Sequence, residues 1–218
     1  MEPGPPQGPQ GLDRLNLAIR GFSELERGST FLIVSAIAGV ILIIAVLSMG
    51  GLGGSLGALA FALTWSLITS ILALMGYVRF RAGGSYFREL EPSRLGKGET
   101  GARLIIWGIA VGLPGLFITG IAFFYESLAY LLGIALMMIG GVLSLAGFIF
   151  FAIFLFRLNE LRYLTGVSEL RGFEAAAILW LLGLFLGITL IISVILIYMR
   201  SRDNINLLSA RAGAMSQP

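Results

Sequence analysis

The clearest chemical motif in the sequence is the glycine-rich stretch G-K-G-E-T-G. Gly96, Gly98 and Gly101 have the spacing G-x-G-x-x-G, which in dinucleotide-binding sites brings backbone N–H groups close to a pyrophosphate. Such a site needs a buried strand before the first glycine and a soluble helix after the last. Here Pro92 and several charged residues precede the stretch, and an apolar run follows it. We therefore expect a basic turn beside a membrane, with no nucleotide and no nucleic acid as partner.

The same loop carries cations that are expected to contact anionic lipid headgroups, each contributing roughly 1 kcal/mol. These cations are Arg79, Arg81, Arg88, Arg94, Lys97 and Arg103.

Side chains that usually carry catalysis or bind metals are scarce. The chain has no Cys and no His, which excludes thiolate chemistry, disulfides and imidazole ligation of a metal. Its long apolar runs also contain no Asp, Glu, Lys or Arg, although proton-coupled pumps and most ion-coupled transporters depend on ionisable groups inside the membrane. We expect no enzymatic activity, no cofactor and no metal site.

The composition indicates an integral membrane protein. Hydrophobic residues make up 57% of the 218 and charged residues 12%, against roughly 45 to 50% and 25% in soluble domains. Five uncharged runs each approach or exceed the roughly 20 residues that a transmembrane helix needs. The expected fold is all-α, a bundle of five transmembrane helices. The five runs are Phe31–Met49, Ser55–Val78, Leu104–Phe124, Leu128–Phe156 and Ala175–Met199.

The N-terminal region divides into two segments. Residues 1–10 are rich in Pro and Gly and predict a disordered tail. In residues 11–28, Leu12, Leu15, Ile19, Phe22 and Leu25 recur every three or four positions among charged residues, which predicts an amphipathic helix lying at the membrane interface. The membrane domain is expected over residues 29–200, and residues 201–218 form a C-terminal tail.

The basic residues predict the orientation of the chain. Of the 15 Lys and Arg residues, 12 lie in the N-terminal segment, the second-to-third loop and the fourth-to-fifth loop, and 3 lie in the C-terminal tail. The positive-inside rule then places the N-terminus in the cytoplasm and the C-terminus outside.

Small residues recur at helix-packing spacing within the runs. Glycines four or seven residues apart let two helix backbones approach closely in lipid. This pattern favours a structural or accessory protein that packs against itself or another membrane protein. The glycines concerned are Gly108, Gly112, Gly133, Gly140, Gly147, Gly183 and Gly187.

One feature favours a different class of function. Pro114 interrupts the third run, and a proline-kinked helix can line a binding site in transporters. With the nearby Thr119 it would line a cavity, so the alternative is a passive channel or carrier for a small neutral solute.

Long stretches of the chain resemble a known membrane family. "GFSELERGSTFLIVSAI", "YVRFRAGGSYFREL", "GKGETGARLIIWG" and "LLGIALMMIGGVLSLAGFIFFAIFLFRLNE" are similar to the archaeal multi-pass family called domain of unknown function 973. The chain has Asn159 where that pattern has a glycine. The resemblance implies an archaeal membrane protein and contributes no activity, so no functional residue is carried over. The use of a single lysine, Lys97, fits a heat-adapted source.

Overall fold

The computed structural model describes residues 9–48, 56–125 and 129–215, and this part of the chain contains helices and no strand. A single 3-10 turn, Leu158–Glu160, links the fifth helix to the sixth. The predicted disordered tail lies outside the described residues, apart from its last two positions, which are helical. The helices are α1 (Pro9–Ser48), α2 (Leu56–Leu90), α3 (Pro92–Leu95), α4 (Lys97–Tyr125), α5 (Ala129–Arg157), α6 (Leu161–Thr165), α7 (Glu174–Leu182) and α8 (Gly187–Met215).

Four helical stretches in the described residues are long and apolar enough to cross a membrane. Their lengths of 31 to 37 residues correspond to roughly 46 to 55 Å at ~1.5 Å per residue, which exceeds the ~30 Å of hydrocarbon in a bilayer. A helix of this length that crosses a bilayer would extend beyond its apolar layer. The four stretches are Gly11–Ala45, Ala60–Leu90, Pro92–Ala122 and Ala129–Thr165.

The fifth apolar run, Ala175–Met199, does not form one helix, so the described residues contain four long apolar helices where five were expected. The run is divided into α7 and α8 by a turn at residues 183–186. Gly183 and Gly187 stand at the two sides of this turn. Glycine weakens a helix interior because it has the largest backbone entropy to lose, which makes this the favourable place for the chain to reverse.

Helices α7 and α8 form an antiparallel hairpin. The Ser193 hydroxyl of α8 donates a hydrogen bond to the Ala176 carbonyl of α7 at 2.7 Å. At the far end of the hairpin, the Asn204 side chain bonds the backbone of Arg171, just before α7. The second half of α8 therefore lies beside the start of α7.

The amphipathic N-terminal segment is not a separate interfacial helix, because α1 runs without a break from Pro9 to Ser48. Its apolar face includes Leu15, Phe22 and Leu25, each at most 2% exposed. Phe22 packs against Phe87 of α2 and Phe173 before α7. The periodic apolar face is thus covered by protein, whereas it was expected to face lipid.

The helices pack in a defined order around the bundle. Helix α1 contacts α2, α2 contacts α4, and α4 contacts α5. The hairpin joins the two outer members of this row, since α8 packs on α1 and α7 packs on α5. A closed ring of six helices results at the level of the hairpin.

Charged residues gather at one end of this bundle, which we call the charged end. It contains the start of α1, residues 79–103, residues 157–174 and the second half of α8, and it holds all 15 Lys and Arg residues. Arg200, Arg202 and Arg211 belong to it because α8 turns back. Both ends of the described chain therefore lie at the charged end, whereas the C-terminal segment was expected on the side opposite the N-terminus.

Candidate functional site

Helices α4 and α5 approach each other closely along their glycines. A Cβ atom on Gly140 would lie 2.6 Å from the Gly108 carbonyl oxygen, and one on Gly147 would lie 2.7 Å from the Gly101 carbonyl oxygen. No real side chain tolerates such distances, so the backbones meet at these positions. Glycines seven residues apart on both helices face each other along this interface: Gly101, Gly108 and Gly115 on α4, and Gly133, Gly140 and Gly147 on α5.

A second glycine interface joins α1 to α2 and was missed in the sequence. A Cβ atom on Gly28 would lie 2.8 Å from the Gly76 carbonyl oxygen, and one on Gly83 would lie 2.9 Å from the Gly21 carbonyl oxygen. These residues also stand seven apart on each helix, which is the signal that could have found them. Gly21, Gly28 and Gly83 lie among charged residues, outside the uncharged runs.

Of the other glycines named from sequence, Gly112 takes part in this contact through its backbone, since a Cβ atom on Gly140 would lie 2.7 Å from Gly112 Cα, and Gly183 and Gly187 lie outside it. A Cβ atom on Gly112 would make an ordinary contact of 3.7 Å with Gly140, and one on Gly187 would meet nothing within 4 Å. Gly183 lies at the end of α7, where a Cβ atom would be 2.8 Å from the Leu190 Cβ of α8. Gly183 and Gly187 therefore border the hairpin turn and do not form one helix face.

The G-K-G-E-T-G stretch is mostly the first turn of α4, which begins at Lys97. A Cβ atom on Gly98 would lie 2.6 to 2.8 Å from the Phe154 ring, and Gly101 meets the backbone of α5 at Phe151 and Gly147. The glycines at the second and third positions of the motif thus permit close contact between α4 and α5.

The acidic residue of the same stretch, Glu99, joins α4 to α2. Its carboxylate lies 2.7 Å from the Arg88 guanidinium and 3.9 Å from that of Arg81, and its side chain is only 14% exposed. Glu24 of α1 makes a similar link to α2 through Arg79 at 3.2 Å. These two carboxylates were not singled out from sequence.

The cations predicted to contact lipid are therefore of two kinds. Arg79, Arg81 and Arg88 form the ion pairs just described, and Arg94 pairs with Glu160 at 3.2 Å. Lys97 and Arg103 form no ion pair within the described part of the chain.

Aromatic side chains fill the centre of the six-helix ring. Trp180 of α7 is fully buried, with ring centroids 4.9 Å from Phe151 and 5.0 Å from Phe148. Phe80 of α2 stacks on Phe151 at 4.9 Å. Such rings bury large apolar areas, and each pair adds about 0.5 to 1.5 kcal/mol beyond burial. The interior of the ring at the charged end is a packed core.

Two asparagines fix the loop that leads into α7. Asn159 accepts a hydrogen bond from the Phe173 N–H at 3.1 Å and donates one to the Glu174 carboxylate. The buried Asn204 accepts from the Arg171 N–H at 2.6 Å and donates to the Arg171 carbonyl at 3.1 Å. Asn159 thus holds the start of the hairpin.

The two residues predicted to line a solute cavity, Pro114 and Thr119, lie on α4 in different surroundings. Pro114 is exposed on the surface of α4, and Thr119 donates a weak hydrogen bond to the Met137 sulfur at 3.7 Å. A crevice of about 290 Å³ lies between α2, α4 and α5, and neither residue belongs to it. Its walls are Ser70, Gly108, Ile109, Gly112, Leu113, Leu116, Met137, Gly140, Gly141 and Ser144.

The described residues contain no group of three or more Asp and Glu side chains that could hold a metal ion. No curated protein and no solved structure matches the chain. A family match covers residues 18–218, nearly the whole chain, and it agrees with the resemblance in the sequence. The chain therefore belongs to the family described as "Protein of unknown function (DUF973)".

Proposed function

We propose that this protein is a multi-pass integral membrane protein with a structural or accessory role and no enzymatic activity. The supporting observation is the packed ring at the charged end, where Trp180, Phe80 and Phe151 are fully buried and touch one another. A packed aromatic centre suits a rigid scaffold better than a path for solutes. The glycine contacts of α4 with α5 make the same bundle stiff in lipid, because short backbone distances maximise dispersion contacts.

We further propose that the charged end faces the cytoplasm, so that both chain ends lie there. The support is the positive-inside rule, applied to a structure in which all 15 basic residues occur at one end. Of the six loop cations, Lys97 and Arg103 have no carboxylate partner among the described residues and are then best suited to anionic headgroups. An archaeal, heat-adapted source remains an expectation from the resemblance and the composition.

The proposal includes the absence of nucleotide and nucleic acid partners. Its support is the use of Gly98 and Gly101 in packing against Phe154 and Phe151. Titration of the purified protein with ATP and NAD should give no saturable binding below about millimolar, the range in which weak non-specific binding begins.

A passive channel or carrier for a small neutral solute is the second candidate. The observation in its favour is the crevice between α2, α4 and α5, which contains the hydroxyl residues Ser70 and Ser144.

Two measurements on the full-length chain separate the candidates. If the role is structural, mild extraction from native membranes followed by mass spectrometry should recover the chain bound to another membrane protein at a fixed stoichiometry. Alternatively, it should recover the chain as a defined homo-oligomer. Stopped-flow swelling of proteoliposomes in glycerol or urea should match that of empty liposomes. Rapid swelling that Ser144→Leu abolishes would establish the second candidate and refute the first.

A further inference from the structure

A small cavity lies between α1, α2 and α8, outside the packed aromatic centre. Its volume is about 180 Å³, which is comparable to apolar cavities that bind a single small apolar molecule. Each helix contributes residues from about one turn, and all but two of them are aliphatic. The lining residues are Leu32, Ile33, Ser35 and Ala36 of α1, Ala73 and Tyr77 of α2, and Leu190, Ile191 and Val194 of α8.

Tyr77 supplies the cavity with an unused hydrogen-bond donor. The residue is only 6% exposed, and its ring packs edge-on against Phe80 and Trp180. Its hydroxyl has no hydrogen-bond partner within residues 9–48, 56–125 and 129–215. Tyrosine hydroxyls in largely apolar surroundings usually have a partner, so an acceptor atom that enters the cavity would gain a hydrogen bond from Tyr77.

The other hydroxyl in the lining already has its acceptor. Ser35 donates to the Thr69 carbonyl at 2.9 Å. The cavity is therefore apolar with one available donor, and an occupant that satisfies it needs an apolar body and one acceptor oxygen.

The position of Tyr77 indicates how such a molecule would be oriented. Arg79, two residues further along α2, pairs with Glu24 at the charged end. Leu190, on the other wall, lies close to the hairpin turn, three residues after Gly187. The donor thus lies on the side of the charged end, and the apolar walls extend from it towards the middle of the bundle.

We propose that this cavity binds the upper part of a chain amphiphile, with an ester, ether or carboxyl oxygen accepting a hydrogen bond from Tyr77. The first carbons of the apolar chain occupy the space between Ala36, Ala73 and Leu190, and the remainder continues along α1 into the bilayer. Either a bilayer lipid or a free fatty acid carries this chemistry. The site is independent of the packing role proposed above.

Photolabelling of the full-length protein in phosphatidylcholine–phosphatidylglycerol liposomes tests the site. One arm uses palmitic acid with a diazirine close to its carboxyl group, and the other uses phosphatidylcholine with the same chain. Peptide mass spectrometry should locate the label on residues 32–36 or 190–194. Tyr77→Phe should lower labelling roughly two- to tenfold at a subsaturating probe concentration, as loss of one hydrogen bond predicts, and Ala36→Leu should remove it by filling the cavity.

The matched control is Tyr86→Phe, a change on the same helix outside the cavity lining, which should leave labelling unchanged. The site is supported if labelling of the cavity residues is lower in Tyr77→Phe than in the parent. The probe that gives this labelling, fatty acid or phosphatidylcholine, identifies the kind of ligand. Label that is equal in the parent, Tyr77→Phe and Ala36→Leu overturns the proposal, as does label confined to other segments. If Ala36→Leu does not fold, competition replaces it. An excess of unlabelled palmitic acid or phosphatidylcholine should then suppress labelling of the cavity residues. Labelling that persists in the presence of each competitor in turn refutes a specific site.

Discussion

Gly108 of α4 and Gly140 of α5 lie so close together that neither position can hold a side chain. A Cβ atom on either residue would lie 2.6 Å from the carbonyl oxygen of the other. The neighbouring Gly141 is exposed, and a Cβ atom on it would meet nothing within 4 Å. Two adjacent glycines of one helix therefore have opposite structural roles.

This contrast provides a matched pair of substitutions. Gly140→Leu should destabilise the protein by at least about 1 to 3 kcal/mol, the usual cost of overpacking a filled interior. Gly141→Leu should be neutral or slightly stabilising, because leucine is a better helix former than glycine. Thermal melting in the same detergent measures both. Equal melting temperatures for the two variants would show that α4 and α5 do not meet at Gly140.

The ion pair between Glu99 and Arg88 should be measurable as a coupling between α4 and α2. A double-mutant cycle with Glu99→Gln and Arg88→Gln should give a coupling of about 0.2 to 1 kcal/mol, since the arginine side chain is 54% exposed and solvent screens the pair. The coupling should decrease as salt is raised. Glu89→Gln, an exposed change on α2, is the control and should show no coupling to Arg88. A coupling that is independent of salt would argue against an electrostatic link.

Asn204 should contribute more to stability than its exposed neighbour Asn206. Asn204→Ala removes two part-buried hydrogen bonds to the N–H and the carbonyl of Arg171, and each such bond contributes roughly 0.5 to 1.5 kcal/mol. Asn206→Ala changes a solvent-exposed side chain and should alter stability by less than about 0.5 kcal/mol. Chemical unfolding of both variants in the same micelles makes the comparison. Similar losses in the two would mean that Asn204 does not anchor the hairpin.

The hairpin turn should be inaccessible to water from both sides of the membrane. Helix α7 has nine residues, about 14 Å at ~1.5 Å per residue, or roughly half of a ~30 Å hydrocarbon layer. Phe185, which is 84% exposed in the turn, should then contact acyl chains. Because the chain has no cysteine, single cysteines can be introduced without other changes.

Membrane-impermeant maleimide added to vesicles of known orientation should leave Phe185→Cys unlabelled from either side. Arg14→Cys and Ser209→Cys should both react, and only from the cytoplasmic side. Reaction of Ser209→Cys from the opposite side would contradict the hairpin and restore a fifth span.

Hydropathy alone located most of the long apolar helices. The expected runs Leu104–Phe124 and Leu128–Phe156 lie within or close to α4 and α5, because a long uncharged stretch is stable only where lipid or protein replaces water. The membership of the family was also readable from the sequence and agrees with the match over residues 18–218. The spacing of Gly133, Gly140 and Gly147 identified one close face of α5.

The path of the chain follows only from the tertiary structure. Hydropathy measures the cost of moving residues 175–199 into an apolar environment, and that cost is the same for a span and for a hairpin. The reversal after Gly183 depends on packing of Trp180 against α5 and on the bonds from Ser193 and Asn204. Likewise, the periodic face of residues 11–28 is apolar whether lipid or protein covers it, and only the arrangement of α2 and the hairpin around Phe22 assigns it to the core.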